Sequence, residues 1–172
     1  CPEYVEVSAE SNGVRNGYRD INQLGVDRWL AMIAARDKYN GNLCVVDCGS
    51  AVTIDMVDAD GQHQGGYIIP GHYLMQQSLV NNTSRLSVSG VYKPTVALGR
   101  STGECINNGT ILAVSCLIEH VIQTAGTRSS SDYKCIITGG GAAEVMALLK
   151  IDYSHEPLLV IDGIRLLGGP GT

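Results

Sequence analysis

The chain has 172 residues and 18.3 kDa, with 44% hydrophobic residues, 17% charged residues and a mean hydropathy of +0.06. That length supports one good core or two small domains and excludes a large multidomain enzyme, while the apolar fraction excludes a disordered chain. The net charge is −5 with Lys and Arg scattered, so the basic stripe of a nucleic-acid binder is missing. No uninterrupted apolar run approaches the roughly 18–20 residues that span a bilayer.

The sequence starts at Cys1 without a charged-then-apolar signal segment, which leads us to expect a piece of a longer product. Of the six cysteines, Cys44, Cys116 and Cys135 sit in apolar runs, where a free thiol behaves as a small hydrophobe. No CxxC pair or zinc-type Cys/His spacing occurs, so reduced thiols and a cytoplasmic location are expected.

Residues 1–20 are polar and turn-rich and read as a strand end and loop. From Asn22 to Tyr39, Leu24, Trp29, Leu30, Ile33 and Ala34 recur at helical spacing, predicting an amphipathic helix stopped by Asn40-Gly41-Asn42. Leu43 to Cys48 is a short apolar strand. Ala51 to Asp58 and Gln64 to Ile69 are two more, joined by Asp58-Ala59-Asp60-Gly61, a hairpin signal. Three meandering antiparallel strands follow from this pattern.

Pro70-Gly71 leads into a predicted helix over His72 to Val80, and Asn81 to Gly99 is irregular. Ser101 or Thr102 is the expected N-cap of a long helix from Gly103 to Thr124, with Glu104 in its first turn. Its apolar face carries Ile106, Ile111, Leu112, Val114, Leu117, Ile118, Val121 and Ile122. After a loop at Ser129 to Asp132 come a strand at Lys134 to Thr138, a helix at Ala142 to Lys150, a strand at Leu158 to Ile161 and a short helix around Ile164. This order predicts an α/β domain with a mixed sheet and flanking helices, and the best boundary falls at Asn40 to Asn42.

Four segments carry residues suited to chemistry. Asp47-Cys48-Gly49-Ser50-Ala51-Val52-Thr53-Ile54-Asp55 puts an acid at a strand end before a Gly/Ser turn. This suits a phosphate-and-cation device, because glycine lets amides approach an anion while the acid holds a metal; a plain polar hairpin would read the same way. Thr138-Gly139-Gly140-Gly141-Ala142 lies between a strand and a helix, and fits either a nucleotide contact or a tight turn. Gly25-Val26-Asp27-Arg28-Trp29 starts the first helix, where Asp27 and Arg28 read as a surface ion pair or as a base beside an anion site. Gly65-Gly66-Tyr67-Ile68-Ile69-Pro70-Gly71 shapes a turn. The four histidines lie far apart without an acid at ligand spacing and receive no chemistry. No Walker loop or GxGxxG motif occurs.

In this order, Asn16-Gly17-Tyr18, Gln23 to Leu30, Asp47 to Asp55, Gly65 to Gly71, Thr102 to Gly109 and Thr138-Gly139-Gly140 resemble the type III pantothenate kinases, or Bvg accessory factor family. The resemblance implies the acetate and sugar kinase/Hsp70/actin superfamily fold, two ribonuclease-H-like domains with ATP between them. Residues 1–41 would be the end of the first domain and 42–172 the second. It implies phosphorylation of the primary hydroxyl of pantothenate by ATP, the first step of coenzyme A synthesis. Asp27 would be the general base, and Tyr18, Gly25, Val26, Arg28 and Thr102 pantothenate-binding positions. Asp47 would hold the monovalent cation, K⁺ or NH4⁺, alongside Mg²⁺. Ser50, Gly139 and Gly140 would contact ATP. A cytoplasmic homodimer is implied, with Thr102 acting across to the partner's site. Ser50 stands where the family usually has Thr, and the family's N-terminal Asp-x-Gly-Asn-Thr loop is absent, so the chain by itself is not expected to be competent. Two alternatives remain: a kinase of the same superfamily with another acceptor, and a non-catalytic nucleotide-binding regulator.

Overall fold

A computed structural model describes residues 5–82, 93–129 and 132–167. Cys1, most of the 81–99 stretch and the middle of the Ser129 to Asp132 loop lie outside the described residues.

A two-stranded ribbon opens the described chain, β1 (Glu10–Ser11) and β2 (Val14–Arg15). A single 3-10 turn over Ile21–Gln23, capped by the Asp20 side chain, precedes α1 (Val26–Lys38). The helix therefore begins four residues later than the periodicity predicts. Leu24 is buried but belongs to the entry turn, and Gly25 is the N-cap. This places Val26, Asp27 and Arg28 in the first helical turn, where an acid meets the positive end of the helix dipole.

A five-stranded sheet follows in the order β5-β4-β3-β6-β7. β3 (Asn42–Cys48), β4 (Ala51–Val57) and β5 (His63–Pro70) form the antiparallel meander, while β6 (Tyr133–Thr138) and β7 (Tyr153–His155) run parallel to β3. Between β5 and β6 the chain makes α2 (His72–Asn82) and α3 (Thr102–Ser129); α4 (Ala142–Met146) and α5 (Leu159–Leu167) flank β7. The start of α3 has a reciprocal capping box: Ser101 Oγ accepts the Glu104 amide at 3.2 Å, and Glu104 Oε2 accepts the Ser101 amide at 3.1 Å.

One expectation fails in this region. Leu158 to Ile161 is not a strand; the strand is Tyr153–His155, and residues from Leu159 belong to α5. Four branched residues in a row favour β structure locally, but Leu159 and Gly163 are buried against α1, and tertiary packing at helical spacing overrides propensity. Lys38 at the end of α1 ties the two helices together through Glu156 at 2.7 Å and Asp162 at 2.6 Å.

The sheet is covered on both faces. One core joins Trp29, Met32 and Ile33 of α1 to Leu43, Val45, Val57, Ile136 and Leu159. The other joins Val114, Ile118 and Val121 of α3 to Cys44, Val46, Ile54, Cys135 and Ile137. β3 and β6 are therefore apolar on both faces, as buried parallel strands are. Cys44, Cys48 and Cys135 are buried free thiols, with Cys44 opposite Cys135 in the ladder. Cys116 is exposed on α3 and is no core residue, because the buried stripe passes through Val114, Ser115 and Ile118. The Thr102–Thr127 window of α3 is long and apolar enough to cross a membrane, yet 50% of it is buried within this fold.

Candidate active site

The ends of β3 and β6 point the same way, and the turns that follow them meet. The Gly141 amide donates to Cys48 O at 2.8 Å, and the Gly71 amide donates to Ser50 O at 2.8 Å. The β3–β4 turn, the start of α2 and the Gly139-Gly140-Gly141 turn thus form one surface at the carboxyl ends of the parallel strands, where open α/β sheets bind ligands. Ser50 and Gly140 are exposed there, and their amides make no hydrogen bond among the described residues. Unpaired amides at such turns suit the oxygens of a phosphate chain.

Asp47 stands at the end of β3 on this surface. Burial, and after it the Asp27 carboxylate, raise its pKa above the usual carboxylate value. An acid whose charge is disfavoured by burial and by a neighbouring carboxylate is an arrangement a cation relieves. The neighbouring Cys48 is pushed up to about 12, first by burial and then by Asp47, so it stays a thiol and is no nucleophile.

At the start of α1, Asp27 is exposed, and its Oδ1 accepts the Arg28 amide at 2.8 Å. Arg28 does not form the wet surface pair with Asp27 that adjacency suggested. Its side chain is 5% exposed and forks onto Asp55 of β4: Nε donates to Oδ2 at 2.8 Å and the second terminal nitrogen to Oδ1 at 2.5 Å. The remaining terminal nitrogen donates to the Tyr18 hydroxyl at 2.7 Å. Burial draws the guanidinium down, but Asp55 and then Tyr18 outweigh it and hold Arg28 above its ordinary value.

His63, given no chemistry from sequence, is buried in the same group. Its Nε2 lies 2.9 Å from Asp55 Oδ1 and its ring stacks on Tyr18 with centroids 5.8 Å apart. Asp55 lies among the buried residues Ile54, Met56 and Val57. A carboxylate in the middle of an apolar strand is the sequence signal for such a cluster, because a buried charge requires a partner.

The structure thus brings Tyr18, Gly25, Val26, Asp27 and Arg28 to one side, next to Asp47, and Ser50, Gly139 and Gly140 to the other. Thr102 stands exposed at the start of α3 and makes no hydrogen bond or ion pair with either group. A cavity of about 980 Å³ lies at the other end of β3, lined by residues including Asn42, Asp58, His120 and Tyr133, and none of the expected site residues lines it.

The family model described as type III pantothenate kinase matches residues 1–124. The type III pantothenate kinase of Nitrosococcus oceani is 34% identical over 169 residues, covering 95% of this chain and 64% of that protein. That of Hahella chejuensis is 41% identical over 166 residues, covering 95% and 66%. The chain therefore spans about two thirds of the length of these relatives. A solved structure from Campylobacter jejuni, named for a Baf family transcriptional activator, superposes with a TM-score of 0.62 at 24% identity, covering 83% of this chain and 62% of that one. The fold is the α/β, mixed-sheet arrangement of the acetate and sugar kinase/Hsp70/actin type. On the family match and these relatives, the chain belongs to the type III pantothenate kinase family.

Proposed function

We propose that the protein to which this chain belongs phosphorylates pantothenate to 4′-phosphopantothenate with ATP. The observation that carries the reading is the packing of the Gly139 turn against Asp47 at the carboxyl ends of β3 and β6. There the Asp27 carboxylate is near enough to raise the Asp47 pKa, and the Ser50 and Gly140 amides have no hydrogen-bond partner among the described residues. Phosphoryl transfer asks mainly for positioning and charge neutralisation, plus one base near the acceptor.

In this mechanism Asp27 takes the proton of the pantothenate hydroxyl as its oxygen attacks the γ-phosphorus and ADP leaves. Asp27 is exposed at a helix start and has no cation partner among the described residues, so its carboxylate is available to a substrate hydroxyl. Tyr18, Gly25, Val26 and Arg28 bind the acceptor. Ser50, Gly139 and Gly140 line the phosphate chain with short side chains and backbone amides. Asp47 holds a cation, K⁺ or NH4⁺, and Mg²⁺ on the nucleotide supplies charge neutralisation for the transferred group. The raised pKa of Asp47 supports that fit, since the site disfavours the free carboxylate and a bound cation removes the penalty.

We also infer the domain division. Residues 1–41 end the first ribonuclease-H-like domain, with α1 as the crossing helix, and 42–172 form the second. A cytoplasmic homodimer accounts for Thr102, which makes no hydrogen bond or ion pair with the cluster in its own chain and in this reading acts at the partner's acceptor site.

The test is ADP release by the full-length protein with pantothenate and Mg²⁺, in the presence and absence of K⁺. Pantothenate-dependent, K⁺-stimulated release supports the reading. ATP binding without pantothenate-dependent release favours the regulator instead.

A further inference from the structure

Resting on the kinase reading, one residue outside the expected set stands out. Asp55 is 2% exposed and accepts three hydrogen bonds: two from Arg28, at 2.8 and 2.5 Å, and one from His63, at 2.9 Å. A carboxylate oxygen accepts, so His63 Nε2 is the donor of the bond to Asp55. Nδ1 is buried and has no partner among the described residues. A fold selected for stability alone would fill this place with apolar side chains, since a buried ion pair is on average no gain over a hydrophobic substitute.

The surroundings are arranged around the carboxylate. In the β4–β5 ladder Gly66 is the residue opposite Asp55, and a Cβ there would stand 2.7 Å from Asp55 Oδ1 and overlap Ile54 O. The chain therefore has glycine where any side chain would displace Asp55. On the other side, Arg28 passes the constraint to Tyr18 through a 2.7 Å hydrogen bond and a ring contact at 5.5 Å, while His63 stacks on the same ring. Tyr18 is thus held twice, and both holds end on Asp55. Arg28 follows Asp27 directly in the first turn of α1, so fixing Arg28 also fixes that turn against the sheet.

We propose that Asp55 is a positioning residue of the acceptor site: with His63 as its second donor, it locks Arg28 and Tyr18 in the arrangement that pantothenate meets. The nucleotide side lies at the turns after β3 and β6, and the hydrogen bonds of the Asp55 side chain go to Arg28 and His63 rather than to those turns. Losing Asp55 therefore acts on the acceptor and leaves ATP alone.

The experiment uses the full-length protein and steady-state kinetics with each substrate varied. Asp55→Asn keeps the shape but loses the charge, and is expected to raise KM for pantothenate about tenfold, the scale of one lost charge-assisted hydrogen bond, with KM for ATP within about twofold. A merely structural role would lower the active fraction, and so the apparent kcat, with both KM values unchanged. That result overturns the proposal. If Asp55→Asn does not fold, His63→Gln and His63→Leu carry the test. The glutamine amide can still donate to Asp55 and is expected to keep the pantothenate KM, whereas leucine is expected to raise it about fivefold. Equal KM values for Gln, Leu and wild type overturn the proposal. Absence of pantothenate-dependent turnover in the wild type overturns the kinase reading itself, and this proposal with it.

Discussion

Gly139 lies against the Asp47 side chain: a Cβ at position 139 would overlap Asp47 Oδ1 and stand 2.6 Å from both the amide nitrogen and the carbonyl carbon of Cys48. The residue also has φ +96°, a conformation that side chains disfavour. Two independent constraints thus require glycine where the turn after β6 meets the end of β3. Gly139→Ala is expected to cost about 1–3 kcal/mol from backbone conformation, with the overlap adding to it, and to weaken ATP binding. Urea unfolding and nucleotide titration of the variant check both.

Asp47 itself opposes folding at neutral pH. Its folded pKa lies above the unfolded value of 3.8, so its contribution is favourable when protonated and is lost as pH rises through the folded value. Asp47→Asn is therefore expected to raise the melting temperature at pH 7 in the absence of ligands while abolishing stimulation by K⁺. Such a trade of stability for function is usual at binding sites. A variant that melts lower than wild type at pH 7 contradicts the assignment.

His72 acts in the opposite direction. It is 3% exposed at the start of α2, its Nε2 is buried without a partner among the described residues, and burial lowers its pKa below 6.5 despite the nearby Glu144. A depressed histidine pKa means that the unfolded chain binds the proton first. The stability is present above pH 6.5 and is lost as pH falls from there through the folded value. The urea midpoint is expected to fall between pH 7.5 and 5.5, and to fall less in His72→Asn.

The sequence made the sheet legible and left the site half hidden, for physical reasons. The Asp58 to Gly61 turn and two flanking apolar runs define a hairpin by local chemistry alone, and β4 and β5 pair across it. The first turn of α1 was blurred because Leu24 keeps the helical period while sitting in the entry turn. Leu158 to Ile161 misled because four branched residues carry β-propensity, whereas their structure is decided by contact with α1. Turn and strand-end chemistry marks Asp47, Ser50 and Gly139 as candidates, whereas the helix-start position of Asp27 reads equally as a surface ion pair and only the family resemblance gives it a role. Asp55 and His63 were missed because their partners Arg28 and Tyr18 come from an earlier segment, 27 residues away in the case of Arg28 and Asp55. No local period encodes that meeting; only the buried charge in an apolar strand points to it.

The capping box of α3 gives a simpler test of local structure. Ser101→Ala removes the hydroxyl that accepts the Glu104 amide and is expected to cost about 1 kcal/mol, without changing either KM. Denaturant unfolding reads the first effect and steady-state kinetics the second. A larger loss would mean that the start of α3 supports more than its own first turn.

The mechanism requires Asp27 to act as the base. The measurement is pantothenate-dependent turnover of full-length wild type against Asp27→Asn, with ATP affinity measured in parallel. Asn keeps the amide-accepting oxygen that caps Arg28 but cannot take a proton, so kcat is expected to fall by about 10²–10⁴-fold with ATP affinity unchanged. An Asp27→Asn protein that keeps its kcat would contradict the account, and proton removal would then have to be assigned to another group.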